Sequence, residues 1–387
     1  MTKVSINTQI LEWAVKRAEL SFDLLVLEKG FHKIGDWLTG EIQPTIKQVE
    51  KLARKTHTPF GYFFLHDIPI ETLPVPTFRT LGDKPLYTPS PELLDTIQAM
   101  QRRQNWMRDY LLDEKEEPLR FVGSANTSDD IKIVVKNIKE TLGLNDEWTS
   151  ESINWEDSVR ILRGAIDNIG VLLVNNGIVG NNTSRKLNVD EFRGFVLIDE
   201  YAPLIFVNNS DFEGAKMFTI IHELAHVWLG RGAIFNLQLL QPFDNDIENF
   251  CNKIAAEFLV PENKIRELWI MNEDMQGQTK TLSRNFKVSP LVIARRALDL
   301  DFVSKTEYFQ FYKNYKDDIE IILREKKKKK KGGGNFYNLQ NVRIGKRFFD
   351  AIFIATKEGK VAYRDAFQLT GLYGTTFQEY SQRLGIG

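Results

Sequence analysis

The chain has 387 residues, 42% of them hydrophobic and 27% charged, and a formal net charge of −1 at pH 7. That length and composition suit a folded chain with two or three hydrophobic cores, and the near-zero charge excludes a global attraction to nucleic acid. No apolar run approaches the roughly 18 residues of a membrane span, and the opening MTKVSINTQILEW lacks the basic-then-apolar layout of a signal peptide. A cytoplasmic protein without a membrane partner is therefore expected, and the lone cysteine, Cys251, permits no internal disulfide and fits a reducing compartment.

In chain order, residues 1–66 read as short helices: Gln9–Ala18, Ser21–Leu27, His32–Leu38 closed by Gly40, and Thr45–Lys55. With its Trp37, Gly40 and Pro44 punctuation and the apolar helix after them, the segment WLTGEIQPTIKQVEKLARKTHTPFGYFFL resembles the lambda-repressor-like helix-turn-helix family. That resemblance implies DNA as a partner of a domain spanning residues 1–76. The side chains themselves argue for a protein-contact role as readily. His32, Lys33 and Asp36 would face the groove, with no Arg, Asn or Gln there to read a base edge, and residues 1–60 carry nine basic against seven acidic side chains. Pro69, Pro74 and Pro76 make Ile68–Pro76 an extended linker. Within a helical connector over 77–150, Pro91–Leu112 is one long amphipathic helix opened by Ser90, with Leu94, Ile97, Gln104, Met107 and Leu111 near its inner face. Its Gln101-Arg102-Arg103-Gln104 patch reads as a solvated face, with phosphate contact as the alternative.

Residues 151–320 are expected to form one domain. A helix over Asp157–Asn168 precedes strands at Val171–Asn175, Phe195–Asp199 and Leu204–Asn208, which could serve as a shelf on which an extended peptide adds a strand. Next comes MFTIIHELAHVWLG, Met217–Gly230, a helix apolar around more than half its circumference and interrupted by one polar stripe of Thr219, His222, Glu223 and His226. His222 and His226, at i and i+4, project from one face and suit two corners of a tetrahedral Zn²⁺ site, while Glu223 can reach a water on the metal without being a ligand. The plain alternative is a buried helix whose histidines are satisfied by hydrogen bonds. A catalytic zinc needs a third protein ligand. Downstream, Asp246–Val260 reads as a helix stopped by Pro261. Glu248 and Glu257 lie about 180° apart on it, so only one can face the metal. Asn252, one turn beyond Glu248, could brace a ligating carboxylate there, whereas Asp244 and Asp246 precede the helix on a loop. Tyr201 is the residue offered for a second oxyanion donor. Leu282–Leu298 forms two short helices whose Arg295–Arg296 pair is expected to be solvated. Lys326–Lys331 and Gly332–Gly334, within a linker over 321–334, read as a flexible cationic hinge. A three-helix unit over 335–387 follows, at Val342–Thr356, Tyr363–Leu369 and Thr375–Leu384.

IHELAHVWLG followed by EN-FCNKIAAEFLVP resembles the ImmA/IrrE family of zinc metallopeptidases, whose second motif has the form ExxANxFAAELLMP. The resemblance implies an α+β fold, mostly helical, with a zincin-like metallopeptidase core and a small sheet flanked by helical domains. It implies zinc on His222, His226 and Glu248, with Glu223 as general base. Cys251 stands where the family usually has Ala; a thiolate ligand would close the site, and a core filler is the simpler role for a small side chain one turn past Glu248. The implied activity is endopeptidase cleavage of a helix-turn-helix transcriptional repressor, derepressing stress or mobile-element genes. A non-catalytic DNA-binding regulator, or the antitoxin of a toxin–antitoxin pair, is the competing expectation. Oligomeric state is not legible from the sequence.

Overall fold

The computed structural model describes residues 2–71, 89–149, 152–210, 213–231, 234–235, 246–271, 273–329 and 336–386. They fall into two compact units, one made by the described residues up to position 98 and the other by those from Ala99 onward.

The first unit contains α1 (Thr8–Arg17), α2 (Phe22–Leu27), α3 (Ile34–Thr39), α4 (Ile46–Thr56) and a 3₁₀ turn at Phe60–Phe64. Ile10, Leu11, Phe31, Ile34, Trp37, Leu52 and Phe63 form its core. Local chemistry marks the ends of these helices. Asn7 caps α1 through Gln9 N, Gly40 ends α3 in the left-handed region, and Thr45 with Gln48 forms a capping box on α4. Arg17 and Glu71 form an ion pair at 2.5 Å with both side chains largely out of water.

α5 (Pro91–Asp113) runs from the first unit into the second, opened by Ser90 Oγ accepting from Leu93 N at 3.1 Å. The solvated Arg-rich face expected on it is absent at Arg103 and Gln104, both of which are buried. Arg103 donates to Leu369 O (2.8 Å) and Arg343 O (2.7 Å), and Gln104 to Leu197 O and Ala202 O. Burial pulls the Arg103 guanidinium down to about 10. These long side chains satisfy carbonyls that the packing would otherwise strand, a demand the helical pattern alone does not reveal.

The second unit is α+β. α6 (Ile131–Leu142) and α7 (Trp155–Asn168), capped by Asp130 and Asn154, lead into β1 (Leu172–Asn176), the hairpin β2 (Ile178–Val179) and β3 (Asn182–Lys186), then β4 (Gly194–Leu197), β5 (Leu204–Asn208), α8 (Glu213–Leu229) and β6 (Ile234–Phe235). The main sheet has the order β1-β5-β4-β6, with β1 parallel to β5 and the other neighbours antiparallel. β1, β4 and β5 are buried along their whole length, as strands covered on both faces should be. α8 packs beneath β4 and β5 and against α9 (Asp246–Leu259). α10 (Glu262–Leu268), α11 (Met275–Phe286), α12 (Pro290–Asp299) and α13 (Lys305–Lys329) follow. α6 lies within the connector expected to be helical, whereas the hairpin and β6 were not anticipated, because short or strongly polar segments carry little periodic signal.

Arg296 was expected in water and is buried instead. It pairs with Glu257 and donates through Nε to Val260 O at 3.0 Å. Lys326–Lys329 belong to the last turn of α13 rather than to a hinge, since lysine is a good helix former once a helix is under way. Asp244, Lys330, Lys331 and Gly332–Gly334 lie outside the described residues, and the linker expected at Ile68–Pro76 is described only as far as Glu71. Beyond Asn335 there are four helices, not three: α14 (Phe336–Ile344), α15 (Lys346–Lys357), α16 (Tyr363–Thr370) and α17 (Thr375–Leu384). The break is Gly345, whose φ of +84° suits glycine and not a continuing helix. These helices belong to the same compact unit as the sheet, with α14 packed on β1. Leu173 O on β1 accepts from Arg163 Nη2 at 2.9 Å, and a Cβ on Gly345 would lie 3.7 Å from the same oxygen.

Candidate metal centre

α8 is buried because its apolar residues outnumber its polar ones on every side that meets the sheet or α9. Its polar stripe is therefore carried into the core: His222, Glu223 and His226 are each 0% exposed. α9 presents Glu248, 2% exposed, to the two imidazoles. His222 Nε2 lies 3.1 Å from Glu248 Oε2, His226 Nε2 lies 3.2 Å from Glu248 Oε1, and the two Nε2 atoms are 3.2 Å apart. Among the described residues this is the one group of three or more His, Cys, Asp or Glu with ligand atoms close enough to share an ion.

The donor set fits a divalent cation. His222 Nδ1–H donates to Asn252 Oδ1 at 3.0 Å, and burial lowers the imidazole's proton affinity, so Nε2 is left as a lone pair. Asn252 thus braces the histidine, not the carboxylate it was expected to hold. It sits one turn beyond Glu248 on α9, but its side chain crosses to α8. Burial by itself would raise the Glu248 carboxyl; the two imidazoles outweigh it and hold the group well below the usual carboxylate range. Neither Glu248 oxygen receives a well-aligned hydrogen bond despite the close imidazoles. Electron-rich atoms crowded in this way repel unless positive charge lies among them. Tetrahedral zinc with bonds of about 2.0–2.1 Å requires ligand-to-ligand edges of roughly 3.3 Å, close to the spacings found here.

Glu223 points elsewhere. Both of its carboxylate oxygens are buried and, among the described residues, without a hydrogen-bond partner, and burial first, then the charge of Glu248, pushes its carboxyl well above the ordinary value. Its neighbour is Gly194 on β4: a Cβ there would lie 2.9 Å from Glu223 Oε1, 2.9 Å from Thr219 Cγ2 and 3.0 Å from Phe206 O. Gly194 escaped the sequence reading, and its only signal was a glycine opening an apolar strand, which often marks a close approach.

The other acidic candidates separate clearly. Glu257, on the opposite face of α9, is taken by Arg296, and Asp246 is exposed at the start of α9. Cys251 is buried in the core beside Phe250 and Ile254 and is not part of the three-residue group. Burial and the two nearby carboxylates push its thiol well above the ordinary value, so the neutral form is favoured. Tyr201 lies in the turn between β4 and β5, past Leu197 and so at the far end of β4 from Gly194.

No curated protein matches the chain. Residues 344–383, from the end of α14 to α17, match a domain of unknown function, DUF8813. Residues 170–298, the span holding the sheet, α8 and α9 and with them His222, Glu223, His226 and Glu248, match the Peptidase_M78 family model, the IrrE N-terminal-like domain.

Proposed function

We propose that the chain is a zinc-dependent endopeptidase in which His222, His226 and Glu248 hold the metal and Glu223 is the general base. What carries this reading is the convergence of two imidazole nitrogens and the Glu248 carboxylate at 3.1–3.2 Å, beside a second buried carboxylate that has no hydrogen-bond partner among the described residues. Zinc held by these three residues would supply a Lewis acid that lowers the pKa of a water towards ~7. The protein's own part is orientation and proton transfer. Asn252 turns His222 so that Nε2 faces inward, and Gly194 lets Glu223 lie close against β4. Glu223 takes the proton of the attacking water and passes it to the departing amine. Its buried setting suits a group that must hold a proton between those two transfers.

A peptidase-type domain calls for a protein substrate. By resemblance that substrate is a helix-turn-helix repressor, and the first unit docks on it rather than reading DNA; the near-balance of charge in residues 1–60 agrees with this.

The test is metal content and cleavage in the full chain. The purified protein should hold about one zinc, and His226→Ala should lose it. Glu223→Gln should keep zinc and fold while cleavage of the repressor falls ~10²-fold or more. Loss of zinc from the Gln variant would make Glu223 a ligand. Full biological effect from that variant would favour the non-catalytic regulator or antitoxin instead.

A further inference from the structure

The sheet carries one contact that the endopeptidase reading does not use. β6 is only two residues long, Ile234–Phe235, and sits on the outer edge of β4 with Gly194 facing Phe235 and Phe195 facing Ile234. This is the stretch of β4 closest to the site, because Gly194 is where the backbone approaches Glu223. The other side of β4 is already taken by β5. An extended peptide that lies beside Glu223 needs the ladder position on β4 that β6 occupies, since a strand added outside β6 would be displaced by one further strand spacing, about 4.8 Å. β6 also lies in the chain between α8 and α9, the two helices that carry the donor atoms, so it is tethered at the site.

We propose that Ile234–Phe235 is an internal competitor of the substrate: it pairs with β4 in the resting protein and must leave before an extended peptide can add there. The proposal rests on the endopeptidase reading for its consequence, but not for the pairing itself. Two residues of antiparallel ladder make a weak latch. Facing pairs alternate between those that exchange two N–H···O bonds and those that exchange none, so a segment this short holds little more than one bonded pair. Such a strand is displaced by a longer peptide that pairs along all of Gly194–Leu197, and the displacing peptide is thereby selected for being extended and unstructured.

The experiment compares the zinc-loaded full chain with two variants, Phe235→Pro and the double change Ile234→Gly with Phe235→Gly. Three quantities are read: cleavage of unfolded casein, affinity for a fluorescent peptide copying residues 232–237, and hydrogen exchange at the β4 amides. Both variants should cleave casein with kcat/KM raised at least about fivefold, mostly through KM, and should bind the peptide more tightly by a similar factor. Exchange at Gly194 or Phe195 should quicken in the variants and slow again when the peptide is added. Weaker peptide binding in the variants would overturn the proposal and make β6 part of the shelf itself, because the sign of the effect is opposite in the two cases. Unchanged binding and exchange would also overturn it. Should the proline variant misfold, the glycine variant decides. If no form cleaves casein or repressor, the endopeptidase reading falls, while peptide affinity and exchange still judge the pairing.

Discussion

Gly194 lies directly against Glu223. A methyl group there would sit 2.9 Å from the Glu223 carboxylate and 3.0 Å from Phe206 O, and the backbone of a central strand cannot retreat. The side chain of Glu223 is the part free to move. On the endopeptidase reading, Gly194→Ala should therefore retain zinc, lose about 1–3 kcal/mol of stability from overpacking, and cleave at least tenfold more slowly. Metal content, thermal unfolding and casein turnover on one preparation check this; a variant with undiminished turnover would mean that Glu223 needs no fixed place. Glu248 and Glu257 make a related point about sign and partner. Both are buried acids on α9, yet one meets two imidazoles and the other meets Arg296, so their surroundings and not their residue type separate a ligand candidate from a structural ion pair.

Among the elements, α7 and α15 share a set of charges that makes stability depend on pH. Asp167 on α7 is raised to about 6, chiefly by burial, against the opposing pull of Arg163 and Arg347 and with a further push from Asp350. Because the folded pKa lies above that of the unfolded chain, near 4, the folded state favours the protonated carboxyl. The associated stability is complete below about pH 4 and is lost as pH rises through about 6, leaving a cost of at most about 3 kcal/mol at neutral pH. Asp167→Asn should remove this dependence. Urea unfolding from pH 4 to 8 should show the variant gaining on the wild type across pH 4–6 and equal to it or more stable at pH 8. A variant that is less stable at every pH would show that the ionised carboxylate, held by its two arginines, is what the fold uses.

On the scale of the molecule, the helices after Asn335 are part of the same compact unit as the sheet. Arg103 reaches Leu369 O and Arg343 O, Asn181 of the hairpin donates to Gly371 O and accepts from Arg343 Nη1, and α14 packs on β1. Their removal would uncover β1 and leave a buried guanidinium without its carbonyls, two conditions that favour aggregation. A chain ending at Glu325 should melt at least about 5 °C lower than the full protein and bind more of a hydrophobic dye, with metal content little changed in the fraction that remains folded. Equal melting points would mean that these helices are an appendage. No helix among the described residues is long and apolar enough to cross a membrane.

Wherever a residue's role follows from its own helix, the sequence was sufficient. The i, i+4 pair of His222 and His226, the apolar frame around them, the opposite facing of Glu248 and Glu257, and helix ends at Gly40 and Thr45 are all consequences of 100° per residue and of backbone groups that need caps. What depends on a second element was not legible. Asn252 crosses to His222, Glu257 turns to Arg296, Arg103 and Gln104 serve carbonyls more than ninety residues away, and Gly194 makes room for Glu223. Periodicity reports which face of a helix is apolar, but the partner of a buried polar atom is chosen by whichever distant segment packs there with an unmet donor or acceptor. That choice is made only when the chain has folded.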